Sequence, residues 1–153
     1  MSKMGYLRKD KRGCDIFLYR RHIGGLVAWH WALAFWWDDD YIETYEADKV
    51  ITYEADREDS YLRLNFYEGE PDSDYDWKEW GRYRCDDCSP VQVTHTAENL
   101  PCVDSPYNVY CNNCQDFAKS LARKFGVTSL PPGINKVVRT TLTLGLDNIL
   151  LDH

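Results

Sequence analysis

Cys114 is the residue of this 153-residue chain whose surroundings best suit nucleophilic chemistry. Apolar residues recur at helical spacing behind it, which predicts an amphipathic helix over 114–125 with Cys114 on the apolar stripe. Asn112 and Asn113 precede the helix as good N-cap residues, and Gly126 follows where a left-handed residue ends a helix. In the first turn, the helix dipole favours a thiolate, and the unpaired backbone N–H groups can stabilise an oxyanion.

His30 is the candidate base for this thiol. It lies in the apolar run LVAWHWALAFWW at 26–37, which is bounded by glycines and aspartates and predicts a buried strand. Alternate residues put bulky side chains on one face of this strand and flank His30 with alanines on the other. Small neighbours leave room for the 114–125 helix to lie over the imidazole, although a strand histidine can also be an ordinary core residue.

The HWAL segment at 30–33, followed by NCQDFA at 113–118, resembles the circularly permuted papain-like hydrolases. This NlpC-related superfamily includes the lecithin:retinol acyltransferase-like enzymes and the PPPDE peptidases, in which histidine precedes cysteine. The resemblance covers roughly residues 14–126, and the NCxxFA segment is its more specific part. It implies an α+β fold whose antiparallel sheet carries the histidine, with the nucleophile helix packed across the sheet.

The resemblance also implies a third catalytic residue on the strand after the histidine, where it accepts a hydrogen bond from the imidazole. Residues 41–57 contain TYEADK followed by TYEADR, which predicts either two strands or one strand with its continuation. Glu46 is the candidate, with Thr44 on the same strand face and Glu54 as its equivalent in the second copy. Lecithin:retinol acyltransferase-like members usually carry a second histidine here, so this chain departs from them. Either glutamate can also be a solvated strand residue.

A zinc site is the main competing interpretation. CDDC at 85–88 and CNNC at 111–114 have the spacing of a four-thiolate tetrahedral site, which would make the chain a zinc-bound interaction module. Such a site would use Cys114 as a ligand and leave His30 without a partner. The catalytic interpretation is therefore preferred, with no metal and no cofactor. It stays open whether Cys85, Cys88, Cys102 and Cys111 bind metal or form disulfides.

The length predicts a single catalytic domain at 14–153 after a flexible basic arm at 1–13. Before the His30 strand, the sequence predicts a strand at 14–21 that pairs with it. After the repeat, it predicts a strand at 61–67 with Leu62, Leu64 and Phe66 inward, and then an acidic loop at 68–80. A short strand at 91–95, ending in a surface His95, and a helix at 134–151 are the remaining predicted elements. Trp77 and Trp80 can either pack in the core or line a substrate groove.

The formal charge of −7 argues against nucleic-acid and anionic-membrane partners. No apolar run approaches the roughly 18 residues of a spanning helix, and the N-terminus does not have the pattern of a secretory signal. A cytoplasmic protein with reduced thiols is therefore expected.

These features predict a cysteine hydrolase or acyltransferase that works through a thioester. Cys114 attacks a carbonyl, His30 moves the proton, and Glu46 orients His30. The substrate is expected to be a peptide, a protein conjugate or an acyl lipid, and the charge favours a peptide or amide bond. A catalytically inactive relative that binds ligands in its aromatic cleft is a further alternative.

Overall fold

The computed structural model describes residues 8–22, 29–71, 76–107 and 113–130. Within them the chain forms one five-stranded antiparallel sheet and two helices, which confirms the predicted α+β class. No helix among the described residues is long and apolar enough to cross a membrane. The elements are β1 (Arg12–His22), β2 (Trp29–Trp37), β3 (Ile42–Glu54), β4 (Arg57–Glu68), β5 (Lys78–Cys88), α1 (Pro90–Glu98) and α2 (Cys114–Lys124). The strand order is β4-β3-β2-β1-β5.

The helix α2 packs on the bulky face of β2. The Phe125 ring, just after the helix, lies edge-on 5.8 Å from that of Phe35, and Lys119 lies 5.8 Å above the Trp31 ring. The core combines this strand face with the apolar stripe of the helix, including Phe117 and Leu121. The expectation that the helix covers the alanine face of β2 is therefore wrong. Burial of the large aromatic surface stabilises the fold more than burial of alanines, since the gain scales with apolar area.

The alanine face of β2 faces the opposite side of the sheet and is covered from β1. The register pairs Phe17 with Ala34, and the Phe17 ring lies 5.8 Å from that of Trp36. Both Ala32 and Ala34 are buried. β1 is thus confirmed as the partner of β2, while the Gly24-Gly25 turn lies outside the described residues.

The basic N-terminal segment contacts the domain from Arg8 onward. The Arg8 guanidinium lies 2.9 Å from the Glu43 carboxylate and donates to the Thr94 hydroxyl at 2.8 Å. β1 begins at Arg12, two residues earlier than predicted. Part of the segment that the sequence assigns to a flexible arm is therefore held against β3 and α1.

Two segments after β4 differ from their predictions. Residues 91–95 belong to α1 and not to a strand, because Ser89 caps the helix by accepting from the Gln92 amide at 3.2 Å and Pro90 fits its first turn. These local signals override the strand preference of the β-branched residues. β5 was not predicted at all, and it starts inside the stretch expected to be a loop. His95 is exposed, as predicted, and the predicted helix at 134–151 lies outside the described residues.

The repeated TYEAD segments follow one another on β3, the second of the two predicted alternatives, and the second copy ends in the turn at Ala55 and Asp56. The first copy lies buried in the centre of β3, while the second copy is exposed and forms a hairpin with β4. On β4, Leu62 is buried and Leu64 partly buried, as expected. Phe66 differs: it is 40% exposed and stacks 5.6 Å from the Tyr45 ring.

Candidate active site

Cys114 is the first residue of α2, and a capping box fixes its position. The Asn113 side chain accepts from the amides of Gln115 at 2.9 Å and Asp116 at 3.2 Å, and the Asp116 carboxylate accepts from the Asn113 amide at 3.2 Å. Asn113 is thus confirmed as the N-cap. The expectation of unpaired amides for an oxyanion needs correction, because those of Gln115 and Asp116 already donate to the cap. Gly126, with a φ of 85°, follows the helix as predicted.

His30 is held by two carboxylates from the neighbouring strand. Its Nε2 atom lies 3.1 Å from Glu46 Oε1 and 3.3 Å from Asp48 Oδ1. The β2–β3 pairing ends at Ala32 and Glu46, so His30 and Asp48 lie just beyond it, at the end of β2 where Cys114 also reaches the imidazole. The predicted contact between Glu46 and His30 is therefore present.

Asp48 is the site residue that the sequence analysis missed. It lies two residues beyond Glu46 in the first YEAD copy, on the same face of β3 by strand alternation. That parity was the available signal. Only the register of β3 against β2 reveals that the second acid also reaches the imidazole.

The surroundings of His30 favour its protonated form. Burial by itself lowers the pKa of this imidazole, but side-chain hydrogen bonds with Asp48, Cys114 and Glu46 outweigh it and raise the pKa to about 11. The hydrogen bond with His30 also lowers the pKa of Asp48. Glu46 contributes less to the pKa of His30 although it is slightly nearer. Its other oxygen accepts from the Tyr67 hydroxyl at 2.9 Å, so the negative charge of Glu46 is shared between that hydroxyl and the imidazole.

Cys114 and His30 line one pocket of about 180 Å³. Cys114 is partly exposed, whereas His30 is only 5% exposed, so the thiol is the accessible member of the pair. This volume is below the roughly 300 Å³ at which small-molecule sites begin, so the pocket suits a reacting group and not a whole ligand. The other lining residues are Arg21, Ala47, Asp48, Lys49 and Tyr107.

The two tryptophans with open roles take different positions. The Trp77 ring lies 5.6 Å from the His30 ring and belongs to the surroundings of the site. The Trp80 ring packs edge-on against Trp31 at 5.4 Å and belongs to the periphery of the core. Trp77 thus shields the imidazole from one side, which helps to keep it out of water.

The other candidates for the third catalytic residue serve elsewhere. The Thr44 hydroxyl donates to the Gly69 carbonyl at 2.7 Å, which ties β3 to the end of β4. Glu54 is exposed at the hairpin turn, in register with Arg57. The partners of His30 are therefore the two acids of the first repeat copy, Glu46 and Asp48.

The same three side chains are a possible cation site. One ligand atom from each of His30, Glu46 and Asp48 lies within 4.8 Å of the others. Because metal ligation requires a neutral imidazole, a divalent cation would have to displace the proton that both acids stabilise. The ion-paired arrangement already satisfies these buried charges.

The two CxxC motifs do not converge on one site. Cys14 pairs in register with Cys85 and with Trp37 at one end of the sheet. His30 precedes Trp37 by seven residues on β2, which at roughly 3.3 Å per residue places it about 23 Å away. Cys114 lies with His30, so a four-thiolate zinc site joining Cys114 to the CDDC motif does not form. Cys111 lies outside the described residues.

Comparison with protein-family models, with curated proteins and with solved structures gives no match. The function is therefore inferred from the side chains of this pocket.

Proposed function

We propose that this chain is a circularly permuted papain-like cysteine hydrolase or acyltransferase that forms a thioester from an amide, isopeptide or ester carbonyl. One observation carries the proposal: the accessible thiol of Cys114, at the start of a helix, shares a pocket and a hydrogen bond with buried His30. A cysteine so placed is an activated nucleophile because a positive charge and a helix N-terminus both stabilise its thiolate. The order of a histidine strand before a cysteine helix supports the permuted assignment.

In the first step the Cys114 proton resides on His30, and the thiolate sulfur attacks the substrate carbonyl carbon. A C–S bond forms, and the carbonyl electron pair moves to oxygen. Glu46 and Asp48 hold the imidazolium in place and stabilise its charge. Both acids accept at Nε2, so they fix the ring through its Nε2–H, and the proton exchanged with Cys114 and the leaving group is carried by the other ring nitrogen.

Collapse of the tetrahedral intermediate breaks the bond to the leaving group. His30 donates its proton to the departing nitrogen or oxygen, which leaves Cys114 as a thioester and His30 neutral. Water or an acceptor nucleophile then gives a proton to His30 and attacks the thioester. The C–S bond breaks, and the thiolate–imidazolium pair is restored.

The oxyanion needs donors other than the amides that Asn113 occupies. The amide of Cys114 itself lies at the helix start, and Lys49 and Tyr107 contribute donor side chains to the pocket wall. We assign oxyanion stabilisation to these groups. Tyr107→Phe removes one hydroxyl with little change in shape, and a lower kcat with an unchanged KM is the expected result if that hydroxyl contributes.

The walls of the pocket also indicate what lies beside the reacting carbonyl. Arg21 and Lys49 put two cationic side chains in the wall of the pocket that Cys114 lines, while Asp48 is engaged with His30. Neutral or acidic groups next to the scissile bond are therefore expected to react faster than basic ones. A pair of peptide substrates that differ only by glutamate or lysine at that place measures the preference.

Acylation by an activated ester tests the proposal. Mixing the protein with p-nitrophenyl acetate should release a burst of nitrophenolate equal to the enzyme concentration and add one acetyl group to Cys114, seen by mass spectrometry. Cys114→Ala should abolish the burst, whereas Cys102→Ala, a matched control at another partly buried cysteine, should keep it. A protein whose pocket only binds ligands would show neither burst nor acylation.

A further inference from the structure

A second cysteine cluster lies at the edge strand, away from the proposed active site. On β5, Arg12 pairs with Cys88 and Cys14 with Cys85, so two steps on β1 face three on β5. This bulge changes the strand alternation, which would otherwise put Cys85 and Cys88 on opposite faces. Their sulfurs are instead 2.8 Å apart, less than an ångström beyond the about 2.05 Å of a disulfide bond.

The cluster has one accessible thiol and two buried ones. Cys85 is partly exposed, whereas Cys88 and Cys14 are 1% and 0% exposed. The Cys14 sulfur lies 3.8 Å from that of Cys88, on the side away from solvent. An oxidant can therefore reach Cys85 first, and the sulfur nearest to Cys85 is that of Cys88.

We propose that Cys85 and Cys88 are a redox-active pair that closes to a disulfide by exchange with a low-molecular-weight disulfide such as glutathione disulfide. Cys85, as thiolate, attacks one sulfur of that disulfide, which forms a mixed disulfide and releases one small thiol. Cys88 then attacks Cys85 sulfur, which forms the protein disulfide and releases the second small thiol. The protein loses two electrons and two protons, and the small disulfide gains both. This inference does not depend on the proposed activity of Cys114.

The distances favour a disulfide over a three-thiolate metal site. Two thiolates on a tetrahedral zinc, each at about 2.3 Å, are roughly 3.8 Å apart. The Cys14–Cys88 distance fits that value, but the Cys85–Cys88 distance of 2.8 Å is too short for it. Exchange requires the Cys85 thiolate, whose formation is unfavourable at neutral pH, so the reaction quickens as the pH rises. Burial and the hydrogen bond with Cys88 raise the pKa of Cys85 to about 11. The contact with Cys14 and burial raise the pKa of Cys88.

The sequence allows a direct test on the full-length protein. A protease that cuts before aspartate separates the two cysteines at Asp86 and Asp87. After equilibration with glutathione disulfide and blocking of free thiols, a Cys85–Cys88 disulfide therefore appears as two linked peptides. We expect this species in most of the protein, at least tenfold above the Cys88→Ser level, and its complete loss on reduction. The same result is expected in Cys114→Ala.

Matched variants identify the partner. After Asp87 the protease next cuts before Asp104, so Cys88 and Cys102 lie in the same peptide. Cys102→Ser is therefore the control, and the two peptides should still be linked in this variant. The link should also persist in Cys14→Ser. An oxidised wild-type protein without linked peptides would overturn the proposal, and so would a link from Cys14. One zinc per chain, lost in Cys14→Ser and Cys85→Ser alike, would replace it with a metal site.

Discussion

Two partly exposed cysteines, Cys114 and Cys85, lie at opposite ends of the sheet in contrasting surroundings. Cys114 hydrogen-bonds to an imidazole that stays protonated at neutral pH. Cys85 faces another thiol at 2.8 Å, and burial, the hydrogen bond with Cys88 and the charge of Asp86 all raise its pKa. The comparison teaches that the neighbouring charge, and not exposure, separates a nucleophile from a resting thiol.

The positive charge at the Cys114 end has its own structural cause. A buried imidazolium is unstable alone, because loss of hydration disfavours a charge. Glu46 and Asp48 offset that cost from one strand, at 3.1 and 3.3 Å. The β3 register thus places the two acids that keep His30 protonated, and the protonated imidazole stabilises a negative charge on the Cys114 sulfur.

The largest expected effect is selective alkylation. Limiting iodoacetamide near neutral pH should label Cys114 at least about 1,000-fold faster than Cys85, because the imidazolium stabilises a negative charge on Cys114, whereas burial and Cys88 raise the pKa of Cys85 to about 11. Peptide mapping after brief treatment measures both rates, and Cys114→Ala should lose the fast phase entirely. Equal labelling of the two cysteines, or faster labelling of Cys85, would remove the basis of the comparison.

Removal of the cation should bring the alkylation rates of Cys114 and Cys85 closer together. His30→Gln keeps a polar side chain of similar size but no charge, and should slow alkylation of Cys114 at pH 6 by about 100-fold, because the cation that stabilises the thiolate is lost. The Cys85 rate should stay the same, which serves as the internal control. An unchanged Cys114 rate would mean that the two residues are not coupled.

The two acids should contribute unequally to the same effect. Asp48→Asn should slow Cys114 alkylation at pH 6 by about tenfold and Glu46→Gln by about threefold, since Asp48 raises the pKa of His30 more. Glu54→Gln is the matched control, because Glu54 is the exposed equivalent in the second repeat copy. The reverse order would restore Glu46 as the principal partner, as the sequence alone suggested.

The smallest expected effect is on stability. The folded pKa of His30 is raised above its ordinary 6.5, so its stabilising contribution is complete below pH 6.5 and is lost as pH rises towards about 11. In the Cys114→Ala background, where no thiol proton offsets that of the imidazole, the free energy of unfolding should fall between pH 7 and 8 by up to about 1 kcal/mol more with His30 than with His30→Gln. Urea unfolding at both pH values measures the difference, and parallel changes would contradict it.

The sequence alone predicted those helices and strands that local interactions determine. The helix after Cys114 follows from the Asn113 cap and the apolar stripe, and the His30 strand from its alternation. The start of α1 at Ser89 and Pro90 is also visible in the sequence, but the β-branched residues at 91–95 led to the prediction of a strand.

The remaining features depend on long-range pairing. Asp48 reaches His30 only in one register of β3 against β2, and a shift by one residue would turn it away. The contact between Cys85 and Cys88 requires the bulge on β5, a strand whose existence rests on pairing with β1. The face that α2 covers is likewise a property of the whole core.

The most direct measurement of the central claim is an NMR titration of the His30 imidazole in wild type and in Cys114→Ala. If a protonated His30 is coupled to the Cys114 thiolate, the wild-type imidazolium signal should persist above pH 9, and the midpoint should fall in Cys114→Ala. A midpoint near 6.5 that Cys114→Ala leaves unchanged would contradict the account.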